Sequence, residues 1–205
     1  MTTRTRLAAV GLATSALVLS ACSGNPGTAQ PSSPAVPSQS PSAAGSGAPK
    51  VPNPLPAGTL DRDPCSTLTA GQISTLLGTS SPDVQPAKDT GVAKACHWAN
   101  LDRGSGISVQ LVYAWKDGLG HVYAKKNEGF FKELAPVQGY PAVAYGPSDD
   151  SSTGRCGVAI GISDTMAFEA DATISRANVG KPGSDPCEAA RRIGDAVVTT
   201  LKAGA

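Results

Sequence analysis

The chain has 205 residues, a formal net charge of +1 at pH 7 and only 16% charged residues. It contains no basic run, so we expect no nucleic-acid partner. It also has five cysteines, an odd number, so at least one of them lies outside any intramolecular disulfide.

The first 21 residues have the pattern of a secretory signal. Residues 1–6 carry two arginines and no acid, and residues 7–21 are apolar and uncharged. A short basic head followed by an apolar stretch that ends in small residues is typical of such signals. The stretch is too short for a membrane-spanning helix, which needs about 20 apolar residues. We therefore predict a signal peptide at residues 1–21.

Cys22 follows this signal directly, in the sequence "LSAC". This sequence resembles the lipobox of bacterial lipoproteins, in which a diacylglyceryl group is attached to the cysteine and cleavage makes it the N-terminus. Each buried CH₂ of such a group contributes about 0.8 kcal/mol of membrane binding. We predict that Cys22 is lipid-modified and holds the protein on the extracytoplasmic face of the cell membrane. The alternative is an ordinary secretion signal that leaves Cys22 free.

Residues 22–59 have the composition of a tether that begins at the lipid anchor. Nine of the 17 prolines lie here among Ser, Ala and Gly, with Lys50 as the one charged residue. Few apolar side chains are present, so burial cannot offset the entropy cost of ordering the segment. We predict a disordered spacer. The alternative, a proline-rich ligand for a recognition domain, lacks a basic residue beside any PxxP.

Residues 60–205 are long enough for one domain with its own core. Export would place its four cysteines where disulfides form. Two of them are the third residue of an Asp-Pro-Cys motif, in which Asp caps a helix and Pro is the first helical residue. The first two cysteines are 31 residues apart, and so are the last two. Of three possible pairings we favour the one that joins these neighbours: Cys65 with Cys96, and Cys156 with Cys187. The rival interpretation, a metal site, lacks CxxC or HxxxH spacing, and we expect no metal.

The first half of this domain predicts a helix and a hairpin. Thr69 and Gln72 form a capping box, and Gly78 ends the helix that they begin. Alternating apolar residues then predict paired strands at 92–99 and 106–115.

The second half predicts a helix, three strands and a final helix. Apolar residues at helical spacing predict a helix across 117–134: Leu119, Val122, Tyr123, Phe130 and Leu134. The strands are "PAVAYG", "RCGVAIGIS" and "TMAFEADATIS", and the final helix covers residues 186–202. Local strand connections favour antiparallel pairing. We therefore predict an α+β domain: a mostly antiparallel sheet of about five strands, packed by helices at both ends of the domain, with two disulfides.

Several of these stretches resemble a known family. "DPCSTLTAGQISTLLG", "ACHW", "GYPAVAYG" followed by "CGVAIGI", and "DPCEAARRIGDAVVTTL" together resemble the actinobacterial envelope lipoproteins labelled domain of unknown function 3558. The matching motifs span about 60–202. The resemblance implies an exported lipoprotein with a Pro/Ser-rich spacer and a helix led by Asp-Pro-Cys at each end of its domain. It implies no particular reaction.

No catalytic residue or cofactor is predicted. His97 and His121 have no nucleophile placed beside them by the sequence pattern, and no GxSxG motif occurs. A cysteine in the first turn of a helix has a stabilised thiolate, as Cys65 and Cys187 would have. A resolving cysteine at CxxC spacing is missing, so a thiol oxidoreductase or a hydrolase is kept only as the third hypothesis.

Binding is the class of function that the sequence favours. Trp98, Tyr113 and Trp115 lie in the predicted hairpin of a chain with only 4% aromatic residues. Such rings are candidates for lining a ligand cleft, although they are also common core residues. We predict a tethered binding or accessory module for a lipid, a small ligand or an envelope protein. The second hypothesis is a structural or interaction lipoprotein without a pocket.

Overall fold

The computed structural model describes residues 46–204. The predicted signal peptide, Cys22 and the first part of the predicted tether lie outside the described residues. Within residues 46–204, no helix is long and apolar enough to cross a membrane.

The described chain forms one sheet of seven strands. These are β1 Asp83–Asp89, β2 Lys94–Asn100, β3 Ser105–Leu111, β4 Phe130–Val137, β5 Tyr140–Gly146, β6 Arg155–Ser163 and β7 Met166–Thr173. Their order across the sheet is β1-β2-β3-β7-β6-β5-β4, and every neighbouring pair is antiparallel. The mostly antiparallel α+β fold is confirmed, whereas the prediction of about five strands is wrong.

Three α-helices complete the fold of residues 46–204: α1 Ala70–Leu77, α2 Gly120–Tyr123 and α3 Pro186–Ala203. The predicted capping box begins α1, since Thr69 Oγ1 accepts from the N–H of Gln72 and the Gln72 side chain accepts from the N–H of Thr69. Gly78 ends this helix with a φ of 62°, a left-handed conformation that glycine adopts without strain.

Both Asp-Pro-Cys motifs begin helical turns that disulfides attach to the sheet. Asp63 caps a 3₁₀ turn at Pro64–Thr67, and Asp185 caps α3 by accepting from the N–H groups of Cys187 and Glu188. The disulfides join Cys65 to Cys96 and Cys156 to Cys187, the pairing that the sequence favours. They connect the first motif to β2 and α3 to β6.

The two additional strands lie at the edges of the sheet. All residues of β1 are exposed, and its sequence "DVQPAKD" has no apolar alternation to reveal a strand. Pro86 is tolerated there because an edge strand leaves N–H groups unpaired.

The other edge strand, β4, begins inside the segment predicted as the second helix. Phe130 and Leu134 are four residues apart, a spacing that puts side chains on one face of a helix and equally on one face of a strand. The structure ends α2 at Tyr123 and begins β4 at Phe130, after an exposed polar stretch and Gly129. The prediction of one helix across 117–134 is therefore wrong.

The folded domain also begins earlier than the predicted boundary at residue 60. Leu55 is buried in the main core, and its N–H donates to the carbonyl of Ile162 at 2.9 Å. Asp164 accepts from the N–H of Val51 and pairs with Lys50 at 2.9 Å. The last part of the predicted tether, residues 46–59, thus packs on the β6–β7 hairpin through Val51 and Leu55, both of which contact the main core.

The two faces of the sheet are covered differently. On one face α3 packs over β6 and β7 and closes the main core, which includes Leu111, Ile160, Phe168 and Ile193. On the other face the connection from β3 to β4, residues 112–129, crosses to the far edge of the sheet. Its buried residues Leu119, Val122 and Tyr123 contact Val143, Ala159 and Ala167. This connection covers only part of its face, and the uncovered part forms the candidate site.

Candidate functional site

A row of side chains crosses the incompletely covered face of the sheet. The strand registers place one residue from each of six neighbouring strands in this row: His97, Ser108, Asp171, Gly157, Tyr145 and Phe131. Gly157 contributes no side chain between Asp171 and Tyr145. A Cβ at this position would lie 2.8 Å from Asp171 Oδ1. The glycine therefore leaves room in front of the Asp171 carboxylate.

A cavity of about 360 Å³ opens at this gap. Glu169 and Asp171, which we call the acid pair, both line it. Tyr145 Oη donates to Glu169 Oε1 at 2.5 Å, and Gln110 Nε2 donates to Asp171 Oδ2 at 3.0 Å. None of the three ion pairs among residues 46–204 includes either carboxylate. Arg155, at the edge of the same cavity, pairs instead with Asp150 at 2.8 Å. The acid pair is therefore held by neutral donors.

Partial burial changes the ionisation of the acid pair. The pKa of Glu169 is raised to about 7, first by burial and then by the charge of Asp171, while the hydrogen bond from Tyr145 partly opposes the rise. Burial also raises the pKa of Asp171, against the hydrogen bond from Gln110 and the charge of His97. The pKa of the Tyr145 hydroxyl is raised by burial and by the charge of Glu169. Two interacting carboxyls titrate as a unit, so near neutrality the acid pair still holds part of a proton.

A second cavity, of about 290 Å³, adjoins the first and has aromatic walls. Trp115 stacks on His121 with ring centroids 5.1 Å apart and contacts Tyr145 edge-on at 5.9 Å. The pKa of His121 is lowered, first by burial and then by the charge of Lys125. The His121 ring is therefore largely uncharged near neutrality, while Lys125 and Glu128 are the charged residues that line this cavity.

The two cavities share four lining residues: Phe130, Tyr145, Gly146 and Pro147. We call the two adjoining cavities together the sheet groove. Tyr145 lies between its two halves, with its hydroxyl on the acid pair and its ring against Trp115. The groove can accommodate a molecule that combines a hydrogen-bond-donating or cationic group with an apolar body.

The three aromatic residues singled out in the sequence do not lie together. Trp98 is 2% exposed and belongs to the main core. The Tyr113 hydroxyl donates to Asp89 Oδ1 at 2.7 Å, at the end of β1. Trp115 alone lines the sheet groove.

Sequence reasoning missed the acid pair, Tyr145 and Gly157. One signal was present: in "AFEADAT" two acids alternate with residues that are buried in the main core. Alternation in a central strand shows that the acids share the second face of the sheet. Their neighbours in the row depend on strand order, which the sequence pattern did not specify.

Residues 46–204 contain neither a cluster of metal-ligating side chains nor a free cysteine thiol. Among residues 46–204, no group of three or more His, Cys, Asp or Glu side chains is arranged to hold a metal ion. Cys65 and Cys187, the cysteines at the helical turns, are both disulfide-bonded.

Comparisons with known proteins place the chain in a family. Neither a search of curated proteins nor a search of solved structures found a match. A family model described as protein of unknown function (DUF3558) matches residues 17–200. Because this match covers most of the chain, the protein belongs to the DUF3558 family.

Proposed function

We propose that the protein is a lipid-anchored, extracytoplasmic binding module that holds a small ligand in the sheet groove. The observation that carries this proposal is the acid pair, two partly buried carboxylates that line a cavity and have only neutral hydrogen-bond donors. The ligand that fits has a cationic or hydrogen-bond-donating group and an apolar body.

The electrostatic argument concerns Glu169 and Asp171. A carboxylate loses solvation when it is buried, and this loss is offset only when an opposite charge or several donors replace the water. Each carboxylate has one neutral side-chain donor in the structure. A cationic group in the 360 Å³ cavity would supply the missing charge and favour the ionised form of both acids.

The aromatic half of the groove supports the same kind of ligand. Trp115, His121 and Tyr145 present ring surfaces that bind apolar or aromatic groups. Binding sites for small molecules usually combine such apolar walls with a few polar groups that orient the ligand, in volumes of about 300–1,000 Å³. The groove has this composition, which favours the binding hypothesis over an interaction lipoprotein without a pocket.

Lipid anchoring rests on the sequence around Cys22. The family match begins at residue 17 and therefore includes "LSAC". In the full chain we expect Cys22→Ser to abolish the added lipid mass and to move the protein from the membrane fraction to the soluble fraction. A Cys22→Ser protein that is processed normally and stays in the membrane would contradict the anchor.

Ligand binding can be tested on the natural protein by native mass spectrometry after extraction from membranes in mild detergent. We expect a bound small molecule in the wild type. Glu169→Gln and Trp115→Ala, which change the two halves of the groove, should both lose it. Glu188→Gln makes the same charge change on α3, where Glu188 binds Arg191, and should keep it.

Two results would reject the groove as the binding site. One is a bound mass that persists in both groove variants. The other is a wild type with no bound mass that instead forms specific crosslinks to one membrane protein, which would favour the interaction lipoprotein.

A further inference from the structure

A separate cavity lies on the opposite side of the sheet from the groove, beside α3. It has a volume of about 430 Å³ and is formed by the end of α1, the β2–β3 turn and α3. Only two of its lining residues are charged, Arg103 from the turn and Arg192 from α3. We call this cavity the arginine cleft. Its charge is opposite to that of the acid pair.

Both arginines are available to bind an anion. Neither takes part in the three ion pairs among residues 46–204, and both are exposed. The Arg103 guanidinium packs over Gly78. A Cβ added at Gly78 would lie 3.0 Å from Arg103 Nη1. The charge of Arg192 contributes to lowering the pKa of Glu188, but both carboxylate oxygens of Glu188 accept hydrogen bonds from Arg191, at 2.8 Å each. No acidic side chain lines the cleft to neutralise the pair.

The cleft is apolar beneath these charges. Leu77, Ile107 and Ile193 are buried at 4%, 4% and 1% exposure and also line the cavity. Leu76 and Ile174 are half-buried at its side. A ligand seated here would therefore meet hydrocarbon below and two guanidinium groups at the rim.

We propose that the arginine cleft binds an amphiphilic oxyanion, a carboxylate or phosphate group carried by an alkyl chain. Guanidinium groups match the geometry of both oxyanions and form strong charge-assisted hydrogen bonds with them. The apolar lining accounts for the alkyl chain, which a site for free phosphate would not need. This site is independent of the sheet groove, so either can fail without the other.

Octyl phosphate tests the site by calorimetry, with the full-length chain carrying Cys22→Ser so that no attached acyl chain competes. We expect binding that Arg103→Gln and Arg192→Gln each weaken about tenfold, which corresponds to about 1.4 kcal/mol. Arg176→Gln is the matched control, because Arg176 is an exposed arginine near the cleft that does not line it. It should change the affinity less than twofold.

Further probes separate the possible sources of the anion. Octanoate that binds as tightly as octyl phosphate would assign the site to any alkyl oxyanion, and weaker octanoate binding would assign it to alkyl phosphates. The proposal is overturned if octyl phosphate does not bind, or if Arg176→Gln weakens binding as much as the cleft variants. It is also overturned if inorganic phosphate or neutral octyl glucoside binds as tightly as octyl phosphate.

Discussion

Replacing Glu169 by glutamine should stabilise the protein at pH 8 and have little effect at pH 4. Glutamine has the shape of glutamate, stays neutral at both pH values, and can still accept the hydrogen bond from Tyr145. The wild-type carboxyl has a pKa of about 7 in the folded protein, raised first by burial. The folded state therefore disfavours its charge, and the variant removes that charge.

The pH window follows from the two pKa values of Glu169. Below pH 4.5 the carboxyl is protonated in both the folded and the unfolded chain, so it does not change stability. Between pH 4.5 and about 7 the unfolded chain ionises first, and the wild type loses stability. Above pH 7 the full loss is present. Each pKa unit corresponds to about 1.4 kcal/mol, so the rise from 4.5 to about 7 corresponds to a loss of about 3 kcal/mol.

Urea denaturation at pH 4, 6 and 8 measures this effect, with both disulfides kept oxidised. The difference in unfolding free energy between Glu169→Gln and wild type should grow with pH, by up to about 3 kcal/mol. Glu188→Gln is the control with the opposite sign, because Arg191 lowers the pKa of Glu188 and the variant loses that favourable pairing at neutral pH. A Glu169→Gln difference that does not change with pH would refute the reasoning.

Three further predictions concern one disulfide, the contacts of Asp164 and the hydrogen bond between Tyr145 and Glu169. Replacing Cys156 and Cys187 together by serine should lower the unfolding free energy by about 3–4 kcal/mol in urea denaturation, because their disulfide spans 31 residues. Asp164→Ala should speed hydrogen exchange in residues 46–59, because Lys50 and the N–H of Val51 lose their hydrogen bonds to Asp164. It should change the global stability by less than about 1 kcal/mol. Unchanged exchange would contradict the packing of residues 46–59 on the β6–β7 hairpin. Tyr145→Phe should raise the pKa of Glu169 in a ¹³C NMR titration, because the hydroxyl bond favours the ionised carboxylate; a lower pKa would contradict that role.

Local sequence signals predicted the elements whose ends have their own chemistry. The capping box at Thr69 and Gln72 and the stop at Gly78 appear in the structure as expected. The Asp-Pro-Cys motifs begin helical turns as expected, with Asp63 and Asp185 as the caps. These features depend on residues within one turn of each other, so the sequence alone contains the information.

The errors arise where local spacing is ambiguous or missing. Phe130 and Leu134 fit a helix and a strand equally, and β1 has no buried residue to give it a pattern. Only pairing with β5 and with β2 makes these segments strands. That pairing is a long-range property, which a periodicity argument does not reach.

The sheet groove could not be predicted from local patterns either, because it also depends on long-range strand pairing. Asp171, Gly157 and Tyr145 are neighbours only because β7, β6 and β5 lie side by side in a particular register. The sequence shows two acids at alternate positions in a buried strand, which is enough to place them on one face. It does not show that a glycine opens a gap beside them or that Trp115 closes the adjoining cavity.

The most direct test of the binding site compares two small probes that differ in charge. Tyramine carries an aromatic ring and an ammonium group, and 3-phenylpropionate carries a ring and a carboxylate. In amide NMR spectra of the full-length Cys22→Ser chain, tyramine should shift the signals of Trp115, Gly157 and Asp171, and Glu169→Gln should weaken this binding. 3-Phenylpropionate should leave these signals unchanged. If it shifts the same signals as strongly as tyramine, or if neither probe shifts them, the sheet groove is not the site that we propose.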